Sequence, residues 1–493
     1  MRAYDRLHSR FRRIGLIDET VRLLHWDSAA VMPSGAAEGR AEQLATLRET
    51  IHELLVGPEV GEWIALSATE PLAEGERGNL AAMRRNHLRA AAVPADLVAA
   101  ISRADSRCEM AWRAARPAGD FAAVAPLLQR VVELTREEAA AVGGALGLAS
   151  YDALLDGHEP GLTEAGCVAF FAEIEAFLPD LLGAVIERQA ARPAPTAPSG
   201  PFPVATQEAL GRRVMAAMGF DFDHGRLDVS AHPMSCGAPD DVRITTRWDP
   251  ADALAGIYAV IHETGHALYE RGLPARWRGQ PAGEPRGMAV HESQSLVMEM
   301  QACRSPGFAG FLAPLMADAF GGVGWDAANV HRLVTHVARG LIRVDADEVS
   351  YPLHVLLRFR LERALLSGDL VLGDLPAAWN DGMARLLGVV PPGDRDGCMQ
   401  DIHWFDGAFG YFPSYVLGAL MAAQLFDAAE RALPGLAGDL GRGDFAPLVG
   451  WLGRNVHALG ATRSWEEILQ GATGAPLDVA VFRRRLEARY LAA

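Results

Sequence analysis

The sequence has few cysteines and no long apolar run, and each absence excludes a class of protein. Its five cysteines, Cys108, Cys167, Cys236, Cys303 and Cys398, are odd in number and none has Cys-x-x-Cys spacing, so neither a disulfide framework nor a cysteine zinc site is indicated. No apolar run approaches the roughly 18 residues that span a bilayer, and the first fifteen residues lack the apolar core of an export signal. We therefore expect a cytoplasmic protein with no membrane segment.

Positive charge is also scarce in this sequence. There are 46 basic and 62 acidic residues, which gives a formal net charge of −16. Such a surplus of negative charge opposes attraction to nucleic acid or to an anionic membrane surface. We expect neither partner, and an anionic ligand has to be met by a few cationic groups placed close to it.

Runs of β-branched residues are few, whereas Ala, Leu, Arg and Glu recur with helical spacing through most of the 493 residues. Half of the residues are hydrophobic and 22% are charged, as in an ordinary globular chain. The pattern predicts a mainly α fold, with clear helices at 36–55, 121–147 and 162–192. Thr163, followed by Glu164, is a capping signal at the start of the third helix.

Two kinds of segment interrupt the helical pattern. The proline-rich tract 193–203 is typical of a stiff connection, here between an N-terminal helical part, 1–192, and a second part, 204–493. Residues 225–230 and 241–248 alternate apolar and polar side chains on either side of a turn-rich stretch. This alternation predicts a small β-hairpin.

One helical segment carries a metal-binding motif. His262 and His266 are four residues apart and enclose Glu263, in the pattern HExxH. Imidazoles at this spacing lie on one face of a helix and can share a zinc ion, which leaves the glutamate within reach of a water at the metal. The alternative is that both histidines are satisfied by hydrogen bonds at the edge of the core.

A catalytic zinc site normally has a third protein ligand on a neighbouring element. The longer motif HExxHxxGxxH is excluded, because its last position is Gly272. Glu292 lies in the next amphipathic segment and is the predicted third ligand, whereas Glu284 and Glu299 are the competing carboxylates. Spacing alone favours Glu292 only modestly.

Six segments occur in this order: His232-Pro-Met234, Asp241-Val-Arg-Ile-Thr245, His262-Glu-Thr-Gly-His266, His291-Glu-Ser-Gln294, Ile342-Arg-Val-Asp-Ala-Asp347 and Gly397-Cys-Met-Gln-Asp-Ile-His-Trp404. With these six hallmark segments the sequence resembles the carboxypeptidase Taq family of metallocarboxypeptidases. The resemblance covers essentially the whole chain, including 24–27, 151–156 and 410–415. It departs at Met234, where the family usually has phenylalanine, which puts local packing in question and leaves the chemistry unchanged.

The resemblance implies a mostly helical fold with a long substrate groove, in which 193–203 is an internal loop of one catalytic domain over 1–493. It also implies one divalent metal ion per chain, Zn²⁺ or Co²⁺, and a homodimer. The implied activity is the release of single amino acids from the free C-terminus of peptides.

Peptide hydrolysis assigns roles to several of these residues. Glu263 is the expected general base, which takes a proton from water and passes it to the leaving amine. His403, Tyr411 and Tyr415 occupy positions that resemble the active-site wall of the family, and they are candidate hydrogen-bond donors to the oxyanion. For each tyrosine, packing in the core is the alternative.

A carboxypeptidase also needs a cation for the terminal carboxylate of its substrate. Arg343 is the first candidate, and Asp347 is expected either to pair with it or to orient a metal-site histidine. An ordinary Arg–Asp pair on a solvated helix is the alternative. Arg243 in the predicted hairpin is the second candidate, and Gln294 and Gln400 are candidate hydrogen-bond partners of the substrate backbone.

Two other functions remain open from the sequence. The first is a related helical endopeptidase or dipeptidyl carboxypeptidase, which has the same motif but releases different products. The second is a catalytically inactive peptide-binding protein with a structural metal. The presence of Glu263 argues against the second function, because a structural site needs no base.

Overall fold

Helices make up most of the chain, which a computed structural model describes from residue 1 to residue 492. Three short strands and several 3₁₀ turns lie between them, and one π-helical segment, Val297–Ala302, directly follows α11. The mainly α prediction is confirmed. Within the described residues the α-helices are α1 Ala3–Ala30, α2 Ala37–Val56, α3 Pro58–Ser67, α4 Glu74–Ala92, α5 Ala95–Ala115, α6 Phe121–Leu146, α7 Ser150–His158, α8 Glu164–Ala190, α9 Val204–Met218, α10 Ala253–Gly272, α11 Met288–Leu296, α12 Pro306–Phe320, α13 Ala327–Val334, α14 Tyr351–Ser367, α15 Leu375–Leu387, α16 Phe412–Ala432, α17 Leu436–Gly441, α18 Ala446–Asn455, α19 Trp465–Thr473 and α20 Val479–Tyr490.

The three helices predicted most clearly from the sequence correspond to α2, α6 and α8, with ends that agree to within two residues. The capping signal is also confirmed, since the Thr163 hydroxyl accepts a hydrogen bond from the amide of Gly166 at 3.2 Å. In these segments the apolar periodicity and the cap both favour the helix that forms.

The sheet differs from the predicted hairpin. It has the order β1–β3–β2, with β1 at Gly225–Val229, β2 at Met234–Ala238 and β3 at Asp241–Thr246. β1 pairs with β3 in parallel, and the antiparallel hairpin is formed by β2 and β3. The prediction of a hairpin between 225–230 and 241–248 was therefore wrong, although both of its segments contain a strand.

The error has a local cause. β2 has the sequence Met-Ser-Cys-Gly-Ala, which contains no β-branched or aromatic residue and lies in a stretch rich in Gly, Pro and Asp, so the sequence pattern indicated a turn there and not a strand. Near the end of β2 the backbone requires Gly237, whose φ is +116° and where a Cβ would lie 2.1 Å from the carbonyl oxygen of Asp241. β2 thus occupies the antiparallel edge of β3, and β1 pairs with the other edge.

The chain forms two compact units, each built from three stretches of sequence. Unit one contains Met1–His87, Ala194–Thr335 and Gly418–Asp478, and unit two contains Leu88–Pro193, His336–Leu417 and Val479–Ala493. The prediction of one catalytic domain with parts at 1–192 and 204–493 stays a prediction.

Unit one contains the sheet and the helix with the HExxH motif. In this unit α10 packs against β3, α9 and α11. Ile257, Val260 and Ile261 are fully buried on α10, so its middle turns are held on several sides. The two histidines of the motif are therefore carried by a rigid helix.

In unit two, α14 packs against α6, α8 and α15 and is buried along most of its length. Two of its buried residues, Arg358 and Glu362, are ionisable and fully inaccessible to solvent. Buried ionisable groups need internal partners, and both have them, as described below. No helix within residues 1–492 is long and apolar enough to cross a membrane.

The N-terminus of α10 is capped by Asp252, whose carboxylate accepts hydrogen bonds from the amides of Leu254 and Ala255 at 3.0 and 3.1 Å. We expect Asp252→Ala to destabilise the first turn of α10 by about 1 kcal/mol, which corresponds to roughly fivefold faster hydrogen exchange. Native-state exchange of peptides covering residues 253–260 measures this change. Asp318→Ala, at an exposed position inside α12, is the matched control and should leave that exchange unchanged; equal rates in both variants would contradict the capping role.

Candidate active site

The two histidines of the HExxH motif lie side by side on α10 in unit one. Their ring centroids are 4.9 Å apart, with an angle of 81° between the ring planes. Nδ1 of His262 lies 3.0 Å from Oε2 of Glu299, and Nδ1 of His266 lies 3.1 Å from the carbonyl oxygen of His291. Both acceptors favour a proton on Nδ1, which leaves the Nε2 lone pairs available to a cation.

Glu292 of α11 completes a cluster with these histidines. Its Oε2 atom lies 3.8 Å from Nε2 of His262 and 3.5 Å from Nε2 of His266. One ligand atom from each of the three residues lies within 4.8 Å of the others. Two imidazole nitrogens and one carboxylate oxygen form a donor set that suits a catalytic divalent metal, so the chain's own residues fit such an ion.

The competing carboxylates have other partners. Glu299, in the π-helical segment, lies beside His262 and accepts a hydrogen bond from Arg304 at 2.8 Å. Glu284 accepts one from Arg22. Of the three carboxylates considered from the sequence, Glu292 is the one that lies close to both Nε2 atoms.

Two glycines allow Glu292 to approach the histidine pair. A Cβ at Gly265, inside the motif, would lie 2.6 Å from Cα of Ser295, so α10 and α11 pack backbone to backbone at this point. A Cβ at Gly418 would lie 2.9 Å from Cβ of Glu292. Both positions exclude larger residues because a side chain there would overlap atoms of the neighbouring helix.

The electrostatics of the cluster favour a positive charge. Burial lowers the pKa of His262, but the carboxylates of Glu292 and Glu299 more than offset this effect and hold it at about 10. The pKa of His266 falls to about 4 because of burial and the neighbouring His291. The fully buried Glu299, paired with His262 and Arg304, has its pKa lowered to about 2.

Glu263 is buried next to this cluster, with 7% of its surface exposed. Burial raises the pKa of its carboxyl to about 7, against an opposing effect of His262. A carboxyl in such surroundings can hold or release a proton near neutral pH.

Two further candidates from the sequence lie in unit one. The Arg243 guanidinium pairs with Asp241 at 2.7 Å and stacks over the ring of Trp26, 4.2 Å from its centroid. Gln294 is 1% exposed, donates to Ser293 and lies 3.0 Å from Nε2 of His457. Their roles in substrate binding stay predictions.

Arg343 lies in unit two, where it is 6% exposed and pairs with Asp401. Its Nε and Nη2 donate to one oxygen of that carboxylate at 3.0 and 2.8 Å. The pair expected with Asp347 is not formed, because residues 343–345 form a 3₁₀ turn and the chain is extended at Ala346. Asp347 instead accepts hydrogen bonds from the amide and hydroxyl of Ser350, both at 2.9 Å.

Asp401 is shared by two buried arginines. Arg358 donates its Nε to the second oxygen of Asp401 at 2.6 Å, and the adjacent guanidinium groups hold the pKa of this carboxyl well below its usual range. Two guanidinium groups around one carboxylate leave one positive charge in excess. Gln400 links them by accepting hydrogen bonds from the Arg343 amide and from Arg358, and its amide nitrogen donates to Leu341 and Asp396.

The three candidate oxyanion donors, His403, Tyr411 and Tyr415, lie together in unit two. The ring centroid of His403 is 5.4 Å from that of Tyr411 and 6.1 Å from that of Tyr415. Nε2 of His403 lies 3.3 Å from the Tyr415 hydroxyl, whereas its buried Nδ1 has no hydrogen-bond partner within the described chain. Burial lowers the pKa of His403 to about 4, which keeps the ring neutral.

Sequence reasoning missed Glu362, a buried carboxylate whose hydrogen-bond donors include neighbours of His403 and Tyr411 in the chain. Its carboxylate accepts hydrogen bonds from the hydroxyl of Tyr151 at 2.8 Å, from Nε1 of Trp404 at 2.8 Å and from the amide of Gly410 at 2.7 Å. Tyr151, Trp404 and Gly410 all lie in segments that resemble the family. Glu362 itself lies among charged residues of α14 that look like an ordinary solvated helix face.

Comparisons with known proteins show to which family the chain is similar. The family model described as carboxypeptidase Taq (M32) metallopeptidase matches residues 6–490. The chain is 37% identical to thermostable carboxypeptidase 1 of Thermus thermophilus, over 99% of this chain and 98% of that protein. It is 32% identical to carboxypeptidase 1 of Bacillus subtilis, over 97% and 96%.

Solved structures show the same fold. The metallocarboxypeptidase 1 of Trypanosoma cruzi superposes with a TM-score of 0.97 at 37% identity and covers 99% of both chains. The M32 carboxypeptidase of Deinococcus radiodurans superposes with a TM-score of 0.92 at 33% identity and covers 99% of this chain and 100% of that one.

The buried Glu362 should make stability depend on pH. Burial raises the pKa of its carboxyl from 4.5 to about 7 in the folded state. The neutral carboxyl therefore contributes stability that is fully present below about pH 4.5 and is lost as the pH rises through 7. Relative to Glu362→Gln, we expect the wild type to gain stability, on the order of 3 kcal/mol, between pH 8 and pH 5.

Thermal unfolding midpoints of both proteins across this pH range measure the difference. Glu466→Gln removes an exposed carboxylate from α19 and should follow the wild type at every pH. A constant difference between Glu362→Gln and wild type would show that Glu362 keeps an ordinary pKa.

Proposed function

Because the chain belongs to the carboxypeptidase Taq (M32) family of metallopeptidases, it is a metallocarboxypeptidase, and we propose that it releases amino acids singly from the C-terminus of peptides. The observation that carries the proposal is the convergence of the His262 and His266 Nε2 atoms with the Glu292 carboxylate, beside the buried Glu263. A free C-terminus on the substrate is part of the proposal.

His262, His266 and Glu292 are the proposed ligands of one divalent ion, Zn²⁺ or Co²⁺, because both ions accept this donor set. When bound, the ion supplies a Lewis acid that polarises the scissile carbonyl and lowers the pKa of water. Glu299 and the carbonyl of His291 hold the two imidazoles in the orientation that the ligand set needs.

Glu263 is the proposed general base. Its carboxylate takes a proton from the attacking water and then donates that proton to the leaving amine. Burial supports this role, because it brings the pKa of the Glu263 carboxyl closer to neutral pH than that of an exposed glutamate.

Arg343 is the proposed partner of the substrate's terminal carboxylate. The excess positive charge of Arg343 and Arg358 around Asp401 supports this choice, since a buried cluster with one uncompensated positive charge favours an anion. Arg243 remains the second candidate. We further propose His403, Tyr411 and Tyr415 as oxyanion donors, because their polar groups lie together and the His403 ring is neutral.

Gln294 and Gln400 remain proposed contacts of the substrate backbone. We propose a cytoplasmic homodimer, as the resemblance to the family implies. Light scattering coupled to size-exclusion chromatography measures the assembly, and a mass of one chain, 52.9 kDa, would contradict the dimer.

The base is tested by Glu263→Gln. We expect turnover to fall about 10²- to 10⁴-fold because the proton acceptor is lost. Metal content should be unchanged, since the ligand atoms remain. Assays of C-terminal release together with metal analysis measure both; Glu137→Gln, at an exposed position on α6, is the control. A fully active Glu263→Gln enzyme would exclude this mechanism.

The products test the exopeptidase assignment. Incubation of a peptide with a free C-terminus should release amino acids one at a time, in sequence order, as followed by mass spectrometry. The same peptide with an amidated C-terminus should resist cleavage, because it lacks the carboxylate. Dipeptides or internal fragments would instead identify a dipeptidyl carboxypeptidase or an endopeptidase.

A substitution at Gly418 tests the role of Glu292 as the third metal ligand. Gly418→Ala introduces a methyl group against Cβ of Glu292, so we expect Zn²⁺ affinity to fall about tenfold or more, as with other disturbances behind a metal ligand. Competition with a chromophoric chelator measures the affinity. Gly144→Ala, in α6 where a Cβ meets open space, should bind Zn²⁺ like the wild type. Equal affinities in both variants would show that the contact at Gly418 does not position Glu292 for the metal.

A further inference from the structure

Unit two contains a cavity of about 500 Å³ that takes no part in the proposed reaction. It lies between α6, the start of α7, the first residue of α8 and the C-terminal half of α14. Its volume is in the range of small-molecule sites. Apolar side chains form part of the wall, and charged groups of both signs form the rest: Arg136, Glu164, Arg360, Arg363 and Asp369.

Most of these charges are already paired with each other or with a neighbour. Arg363 pairs with Glu164, and Arg360 pairs with Glu175 just outside the wall. In each of these ion pairs the two charges cancel. They leave one arginine and one aspartate of the wall, Arg136 and Asp369, for which no ion pair is formed within residues 1–492.

Arg136 has donor capacity left over. One guanidinium nitrogen, Nη2, donates to the carbonyl of Leu365 near the end of α14, while the buried Nε atom has no hydrogen-bond partner in the described structure. A role limited to capping α14 would account for Nη2 alone. The guanidinium charge lines the cavity and is not neutralised by an ion pair within residues 1–492, so an anion in the cavity would meet an available cation.

Asp369 supplies the opposite charge close by. It follows Gly368, the residue that ends α14 in the left-handed conformation and whose Cβ position would lie 3.8 Å from Nη2 of Arg136. The carboxylate of Asp369 accepts a hydrogen bond from the Ser367 hydroxyl at 2.8 Å and remains exposed at the cavity wall.

The cavity therefore offers one unpaired cation, one unpaired anion and an apolar wall that includes Ala139, Leu154 and Leu366. A ligand with a carboxylate, an ammonium group and a short apolar side chain matches all three features. We propose that this cavity binds a free α-amino acid, with its carboxylate on Arg136, its ammonium group on Asp369 and its side chain against the apolar wall.

The inference does not depend on the catalytic mechanism, because every residue that carries it lies in unit two and none has a proposed role in hydrolysis. A free amino acid is also the product class of the proposed reaction. The test must therefore separate this cavity from any binding of product at the metal.

Isothermal titration of the wild-type protein with L-leucine, with its metal and after chelation, tests the proposal. We expect saturable binding in both forms. Arg136→Gln should weaken it at least about tenfold, because a charge-assisted hydrogen bond is lost. Arg130→Gln, on the same helix but exposed and paired with Glu133, should bind like the wild type. Binding that disappears on chelation, or that survives unchanged in Arg136→Gln, would overturn the proposal.

Two analogues of leucine test whether the cavity recognises both charged groups of a free amino acid. The compound 4-methylpentanoate lacks the ammonium group, and 3-methylbutylamine lacks the carboxylate, so both should bind at least about tenfold more weakly than leucine. Asp369→Asn, a change at an exposed turn that leaves the core intact, should weaken leucine binding and leave 4-methylpentanoate binding unchanged. Equal binding of leucine and 4-methylpentanoate would show a simple anion site and overturn the amino-acid assignment. Peptide turnover by Glu263→Gln and by Arg136→Gln is measured separately, so that a failure of the hydrolytic mechanism is distinguished from a failure of this site.

Discussion

Two hydrogen bonds donated by imidazole nitrogens determine the geometry of the candidate active site. Glu299 and the carbonyl of His291 hold the Nδ1 atoms of His262 and His266, and the Nε2 atoms must then face Glu292. If either ring turned, its lone pair would leave the cluster. The π-helical segment that contains Glu299, the close contact at Gly265 and the gap at Gly418 all serve this arrangement. Irregular helix turns and tight glycine contacts are common where a helical scaffold has to position ligands.

Charge is distributed unevenly in this acidic protein. The chain as a whole carries a formal charge of −16, but unit two buries two arginines around one aspartate and thereby concentrates positive charge at one place. Long-range attraction cannot bring an anionic peptide terminus to such a protein, because the field of the whole chain has the wrong sign. Recognition has to act at short range, through groups that burial keeps free of competing water.

The sequence predicted those features that are encoded locally. Helical periodicity and the cap at Thr163 predicted α8, and the HExxH spacing predicted the pair of histidines that lies on α10. Features that depend on distant residues were missed. Arg343 pairs with Asp401, 58 residues away, because a 3₁₀ turn moves it off the helical register that would have favoured Asp347. β2 was missed because it has no β-branched or aromatic residue and lies in a turn-rich stretch, so that its pairing with β3 is what makes it a strand. Glu362 looks like a solvated helix residue until its buried partners are known, and Glu299, a competing third ligand from the sequence alone, proves to be the partner of His262 Nδ1.

The contact between α10 and α11 also has a consequence for how the chain folds. His262 and Glu299 are only 37 residues apart, and the elements that carry them follow one another along the chain, so the loop that closes the metal cluster is short. The entropic cost of closing a loop rises with its length, and local contacts form faster than distant ones. The metal cluster is therefore able to form as an early helical hairpin, which a metal ion would stabilise before the longer loops close. In the arginine cluster of unit two, 43 and 58 residues separate Asp401 from its two arginines, so the closure costs of the two clusters differ by less than about 0.5 kcal/mol and neither half of the proposed machinery has to wait for the other.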